Sequence, residues 1–283
     1  MNNPLEYSYF IKALIAAFLS AFSSGLAGTW IVSKRKVFVT GGISHSSFGG
    51  IGLGYYLGIS PVLGALVFGV LSALGIEYIA GKKQIREDSA IGIFWSLGMA
   101  VGIIFIYLTP GYAPNLTGYL FGSILIISNS DLWALFAANA VMIIFFLIFY
   151  KTILFISYDP EYAATVNLPV RTFNYILMGL SALILVLNIR IAGIILVISI
   201  LTIPPTIVNL FTHKFHKIIL FSTLTSMAGT VGGLLFSYYF SLPSGATIVF
   251  IFVLMFVIAR VIRWVTSRSG YQDKRNARLG TEM

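Results

Sequence analysis

The chain has 283 residues, of which 58% are hydrophobic and only 10% charged, with a mean hydropathy of +0.94; in water-soluble domains about a quarter of residues are charged. This composition excludes an ordinary soluble domain and points to a bilayer. Zero cysteines and three histidines exclude a disulfide framework, a cysteine-based zinc or iron–sulfur site and a dense histidine cluster.

Apolar segments long enough to span a membrane follow one another along the chain, since a spanning helix needs about 20 apolar residues. They fall at about 8–33, 38–58, 61–81, 89–109, 132–151, 172–188, 191–211, 218–240 and 244–264. Residues 116–128 are apolar but too short for a secure tenth span, and are read as re-entrant or interfacial. The expected fold is therefore all-α, a polytopic transmembrane bundle of about eight to ten helices. Residues 1–265 form the membrane domain and 266–283 a polar, disordered cytoplasmic tail. The start, Met1 to Glu6, lacks the basic region of a cleavable signal peptide.

The chain has 18 Lys plus Arg against 9 Asp plus Glu. A nucleic-acid binder would gather such an excess on one solvated face; here the basic residues lie between apolar segments. They cluster at Lys34–Lys36, at Lys82, Lys83 and Arg86, at Lys151 and Arg171, at Lys214 and Lys217, and from Arg260 to Arg278. Basic loops stay cytoplasmic, so these zones and the C-terminus are expected inside. The connections near 58–61, 110–115, 188–191 and 241–243 then face outward, with Arg190 their only basic residue.

Small residues recur every four positions at Ala16, Ser20, Ser24 and Gly28, at Gly50, Gly54 and Gly58, at Gly98 and Gly102, and at Gly229 and Gly233. Such stripes let membrane helices approach closely, and are read as packing seams.

The second span differs from the rest, because it carries Ser44, His45, Ser46 and Ser47 at depth, where polar groups face a bundle interior or an aqueous path. Helical geometry places Gly41, His45, Gly49 and Gly52 on one face, so the imidazole stands on a strip of bare backbone open to another helix, a second subunit or an ion. Neutral imidazole is a good ligand for zinc, manganese and iron. The bland alternative is a histidine hydrogen-bonded to a neighbouring helix for packing.

Farther along, Asp159, Pro160 and Glu161 form a helix start, with a capping Asp, Pro in the first turn and Glu at the positive dipole end. Asn167, Leu168 and Pro169 would stop that helix after about two turns. Pro204 and Pro205 are expected to break a membrane helix just before the basic stretch that contains Thr206, Asn209, His213, Lys214, His216 and Lys217. His213 and His216 are read as solvated side chains. Glu77 is expected to lie near Lys82 and reach toward the inner interface, while Glu87, Asp88 and Asp131 cap the fourth and fifth spans. No Gly-x-x-x-x-Gly-Lys-Ser/Thr loop occurs, so ATP is not bound by that chemistry.

The run from Gly41 to Tyr55, Gly-Gly-Ile-Ser-His-Ser-Ser-Phe-Gly-Gly-Ile-Gly-Leu-Gly-Tyr, resembles the signature of permease subunits of ABC importers for zinc, manganese and iron, the ABC-3 family. Four further stretches agree: the opening at Asp88, Leu120–Leu132, Asp159–Ala163 with Leu168-Pro169, and Leu242–Val249. Together they span about residues 34–250.

The resemblance implies a type II ABC importer-like bundle in the bacterial cytoplasmic membrane, with no permanently bound cofactor and a divalent metal ion as cargo. It further implies a second copy of the chain, a separate cytoplasmic ATP-binding subunit and an extracytoplasmic metal-binding protein, with lipid around them and no nucleic acid. His45 falls on the family's pathway histidine, with Ser44, Ser46 and Ser47 available to help. Residues 204–217 fall on the part that docks the ATPase, and Asp159–Glu161 is the second candidate. Gly41 stands where the family usually has Asp, so no carboxylate is supplied there.

Two other readings remain. An intramembrane hydrolase would need Ser44 and His45 to meet, but adjacent helical residues point about 100° apart. An ion-coupled secondary transporter would need acids at mid-depth, which the spans lack.

Overall fold

The computed structural model describes residues 6–82, 85–110 and 127–280, with the backbone alone described from 267 onward. The described residues form ten helices and no strand. They are α1 (Ser8–Ser33), α2 (Val37–Tyr56), α3 (Pro61–Gly81), α4 (Glu87–Leu108), α5 (Asn129–Tyr158), α6 (Pro160–Thr165), α7 (Val170–Ala192), α8 (Ile194–Asn209), α9 (Phe215–Phe240) and α10 (Ser244–Gly280). Most of the segment at 116–128, and with it most of the Leu120–Leu132 stretch, lies outside the described residues.

Among the described residues, seven helices are long and apolar enough to cross a membrane: α1, α3, α4, α5, α7, α9 and the Ser244–Thr266 part of α10. α2 and α8 fall outside that class for different reasons. α8 has only 16 residues. α2 has 20, about 30 Å at 1.5 Å per residue, but it is diluted by glycine, serine and histidine. Nearly every α2 residue from Val39 to Gly54 is buried, since α2 packs against α3 and α4 and touches α7. A helix surrounded by protein needs no oily surface. Lipid-facing positions elsewhere are apolar, as at Leu63, Val67 and Leu71 on α3 and Phe250, Leu254 and Val257 on α10.

Element ends follow local chemistry. Pro61 opens α3 at a position that needs no N–H. Ser128 and Asp131 form a reciprocal capping box at the start of α5. Asp159 Oδ1 accepts from the Tyr162 N–H, capping α6, and Asn167 at φ 58° ends it in the left-handed conformation.

Several expectations are corrected here. The connection placed at 188–191 is helical, and the turn is Gly193 alone, at φ 80°, a conformation favourable only to glycine. Gly58 is no packing residue: at φ 67° an added methyl would meet nothing within 4 Å, and the glycine serves the α2–α3 turn. Gly50 and Gly54 do pack, since a Cβ would lie 2.0 Å from the Gly64 carbonyl oxygen and 2.8 Å from Pro61 Cα respectively.

The third correction concerns the prolines. Pro204 and Pro205 lie inside α8, which continues to Asn209. Each proline leaves the carbonyl four residues earlier without its helical donor, here Ile200 and Leu201. α1 repairs the damage. Its turn Ser24–Gly28 is a π-helix, and Ser24 Oγ donates to Ile200 O at 2.6 Å. Gly28 sits so close to Leu201 O that a Cβ would come within 2.4 Å. A neighbouring helix can thus keep a proline-bearing span helical in lipid.

A buried polar cluster ties the same region together. Ser20 Oγ donates to Asn188 Oδ1 at 2.6 Å, Asn188 Nδ2 donates to Ser23 Oγ at 3.2 Å, and Ser23 Oγ donates to Asn139 Oδ1 at 3.1 Å. These bonds join α1, α5 and α7.

At one end of the bundle Lys36, just before α2, pairs with Glu77 of α3 and lies 3.7 Å from Glu87 of α4. Glu77 therefore meets Lys36, while the Lys82 ammonium stands 4.3 Å over the Tyr78 ring. Asp88 Oδ1 accepts from the Ser89 N–H in the first turn of α4 at 3.0 Å, as a capping acid does, while the N-cap residue itself, Arg86, makes no such bond. The Lys36 and Glu77 side chains are only 12% and 11% exposed. Removing one partner from a buried pair leaves an uncompensated charge, so Lys36→Met is expected to destabilise the protein by about 3 kcal/mol. The double variant Lys36→Met/Glu77→Gln should recover most of that loss. Thermal unfolding midpoints in detergent check both.

Candidate functional site

α2 and α4 meet along a seam of glycines. A Cβ on Gly98 would lie 2.3 Å from Ser46 Cα, and one on Gly52 would lie 2.4 Å from Gly102 O. The face that carries Gly41, His45, Gly49 and Gly52 is thus the α4-facing side, and the nearest occupant of the bare strip is another helix. Backbone contact at Gly98 and Gly102 fixes the spacing between the two helices.

His45 sits where this seam accommodates a large side chain. Its ring is stacked on Trp95 of α4, with centroids 4.1 Å apart and planes 8° from parallel. The imidazole is half-buried, and its Nδ1 is buried with no hydrogen-bond partner. The packing alternative, a histidine hydrogen-bonded to a neighbouring helix, does not describe this ring. A buried polar atom without a partner costs about 1–3 kcal/mol, so Nδ1 is held in an environment that a ligand could improve.

The flanking hydroxyls are engaged within α2. Ser44 Oγ donates to Thr40 O at 2.7 Å, Ser46 Oγ to Ile43 O at 3.1 Å and Ser47 Oγ to Ser44 O at 2.7 Å. None of these bonds reaches His45. Their oxygens keep lone pairs, but the structure brings no hydroxyl of the trio to the ring. Among the described residues no group of three or more His, Asp or Glu side chains is gathered.

The two candidate docking stretches are neighbours. Tyr158 at the end of α5 donates from its hydroxyl to His213 O at 3.3 Å, and its ring lies edge-on to Phe215 at 5.9 Å. Asp159, Pro160 and Glu161 therefore adjoin the 209–217 stretch. His213, Lys214, His216 and Lys217 lie at the surface of this end, with Tyr162, Val166 and Phe211 exposed beside them. Pro204 and Pro205 are buried and Thr206 donates to Thr202 O, so only the later part of 204–217 is accessible. A cavity of about 210 Å³ beside it is lined by Val37, Thr202, Ile203, Thr206, Val253 and Phe256.

Trp95 is the residue that sequence reasoning missed. A signal was present: tryptophans of membrane helices concentrate at the interfaces, and Trp95 lies nine positions into a span, opposite the mid-span histidine.

A bundle of membrane-length helices with polar side chains turned inward at depth has the build of a polytopic membrane protein. The ABC 3 transport family matches residues 6–263, and the chain belongs to that family. It is 39% identical over 263 residues to an uncharacterized membrane protein of Synechocystis sp., covering 93% of this chain and 94% of that one. It is 34% identical over 259 residues to the manganese transport system membrane protein MntC of Listeria monocytogenes, covering 92% of each. Among solved structures, PsaBC from Streptococcus pneumoniae in complex with Fab superposes with a TM-score of 0.79 at 30% identity, covering 90% of this chain and 92% of that one. The resemblance drawn from the Ser44–His45 signature is thereby borne out at the level of family and fold.

Proposed function

We propose that this chain is the membrane-spanning subunit of an ATP-driven importer that moves a divalent transition metal into the cytoplasm. Manganese is the first candidate, given the named cargo of relatives such as MntC, with zinc and iron sharing the same ligand chemistry. Two copies form the pathway, a separate ATPase docks on the basic, cytoplasmic end, and an extracytoplasmic protein delivers the metal. The permease itself performs no covalent chemistry; it alternates between outward and inward access. Residues 1–265 are the permease domain, and the tail that follows faces the cytoplasm.

The observation that carries this reading is the His45 imidazole, mid-span and half-buried, with Nδ1 unpartnered. One neutral ligand and no neighbouring carboxylate suit transit, since a conducting site must bind weakly enough to release. A secondary transporter would need a free acid at depth. The buried acids Glu77 and Asp131 are instead each paired with a cation, Asp131 with Arg190 at 2.9 Å.

The test is metal uptake by cells that express the chain with and without the ATPase and the binding protein. ATPase-dependent manganese uptake is expected; uptake driven by a proton gradient without the ATPase overturns the reading. Docking is tested separately. Charge reversal at Lys214 and Lys217 should abolish transport-linked stimulation of ATP hydrolysis while the chain remains in the membrane. Unaltered stimulation would transfer the docking role to α6, with Asp159, Pro160 and Glu161.

A further inference from the structure

We propose that Trp95 is the positioning residue of the His45 site: its indole fixes the imidazole in one orientation, covers one ring face, and uses the space that Gly41 leaves open. The inference rests on the reading that His45 meets the cargo ion, and it adds the residue that controls the presentation of that ring.

Three observations converge on the indole. The near-coplanar stack, 4.1 Å and 8°, is the directional contact found at His45, whose Nδ1 has no hydrogen bond. An imidazole turns about two side-chain bonds, so a flat partner at van der Waals distance decides where its nitrogens point. Next, the indole extends one helical turn beyond His45. A Cβ on Gly41 would lie 3.3 Å from Trp95 Cζ3 and 3.9 Å from Cη2. Alanine would already be tight there, and a longer side chain would need the volume that the six-membered ring fills. Gly41 is thus the seat of the indole as well as a position without a carboxylate. Finally, Trp95 is 36% exposed, so one side of the indole that holds the imidazole is accessible.

The surrounding seam determines which part can move. Gly98, one turn after Trp95, touches the Ser46 backbone, and Gly102 touches Phe48. These contacts leave α4 no slack against α2. Re-aiming the His45 ring therefore requires rotation of the Trp95 side chain, not retreat of the helix.

The test measures manganese and zinc uptake against concentration in the complete transporter. Trp95→Leu should raise the half-saturating concentration about tenfold, the scale of losing a group that orients a metal-binding histidine, with a much smaller effect on maximal rate. Trp95→Phe, which restores a flat ring, should recover most of that affinity. Gly41→Leu should raise the half-saturating concentration when Trp95 is present, and should add little to the loss that Trp95→Ala causes by itself. Membrane abundance and unfolding midpoint, measured for each variant, separate misfolding from mispositioning. Equal half-saturation in Leu, Phe and parent chains, or independent effects of positions 41 and 95, would overturn the inference while leaving the role of His45 intact. Unchanged uptake in His45→Ala would overturn both.

Discussion

Replacing His45 by alanine is expected to lower metal uptake by about tenfold or more, the scale on which even groups that only support a metal ligand act, with membrane abundance unchanged. The second half of this expectation follows from the packing. His45 makes no hydrogen bond from Nδ1, so its removal leaves no polar partner of that atom stranded. The seam that joins α2 to α4 is built by Gly49, Gly52, Gly98 and Gly102, none of which depends on the imidazole. The loss is one aromatic stack, worth about 0.5–1.5 kcal/mol beyond its buried area, in a fold held by many other contacts. Uptake of labelled metal, normalised to permease in isolated membranes, is the measurement. Normal uptake per molecule would remove His45 from the pathway.

Gly50→Val is expected to have the largest effect on assembly. A Cβ at position 50 would lie 2.0 Å from the Gly64 carbonyl oxygen and 2.7 Å from the Ala65 nitrogen, and a Cβ at position 64 would lie 2.1 Å from Gly50 O. Backbone faces backbone on both sides, so no side chain can rotate away and α2 must separate from α3. Overpacking commonly costs about 1–3 kcal/mol and sometimes more, and a β-branched residue at a backbone contact belongs at the upper end. The variant should be depleted from membranes. Gly58→Ala is the control farther along the same stripe. There the added methyl meets open space, and the cost is the left-handed backbone alone, about 1–2 kcal/mol. Quantitative immunoblotting of membranes distinguishes the two.

The same pair of glycines shows what sequence could and could not reveal. A four-residue period identified Gly50 and Gly54 as contact points because close helix approach needs small residues at that spacing, whatever the partner. It assigned Gly58 to the same stripe because periodicity does not register where a helix stops. The spans were legible through hydropathy and charge, since lipid imposes its rule on each segment separately. The partner of His45 was not legible. Trp95 is distant in the chain, and only the packed α2–α4 seam sets the two rings face to face. Glu77 failed for a similar reason: sequence proximity favoured Lys82, whereas the packing of α3 beside the start of α2 supplied Lys36. The prolines in α8 were read as a break because the donor that heals it, Ser24, belongs to another helix.

That repair binds two segments mechanically. Ile200 O takes its replacement hydrogen bond from the Ser24 hydroxyl, and Leu201 O lies against the bare Cα of Gly28. Sliding α8 along α1 by even a single turn would break the Ser24 bond and leave the buried Ile200 oxygen without that donor, at about 1–3 kcal/mol. α1 and α8 are therefore expected to move together as one lever wherever the bundle flexes.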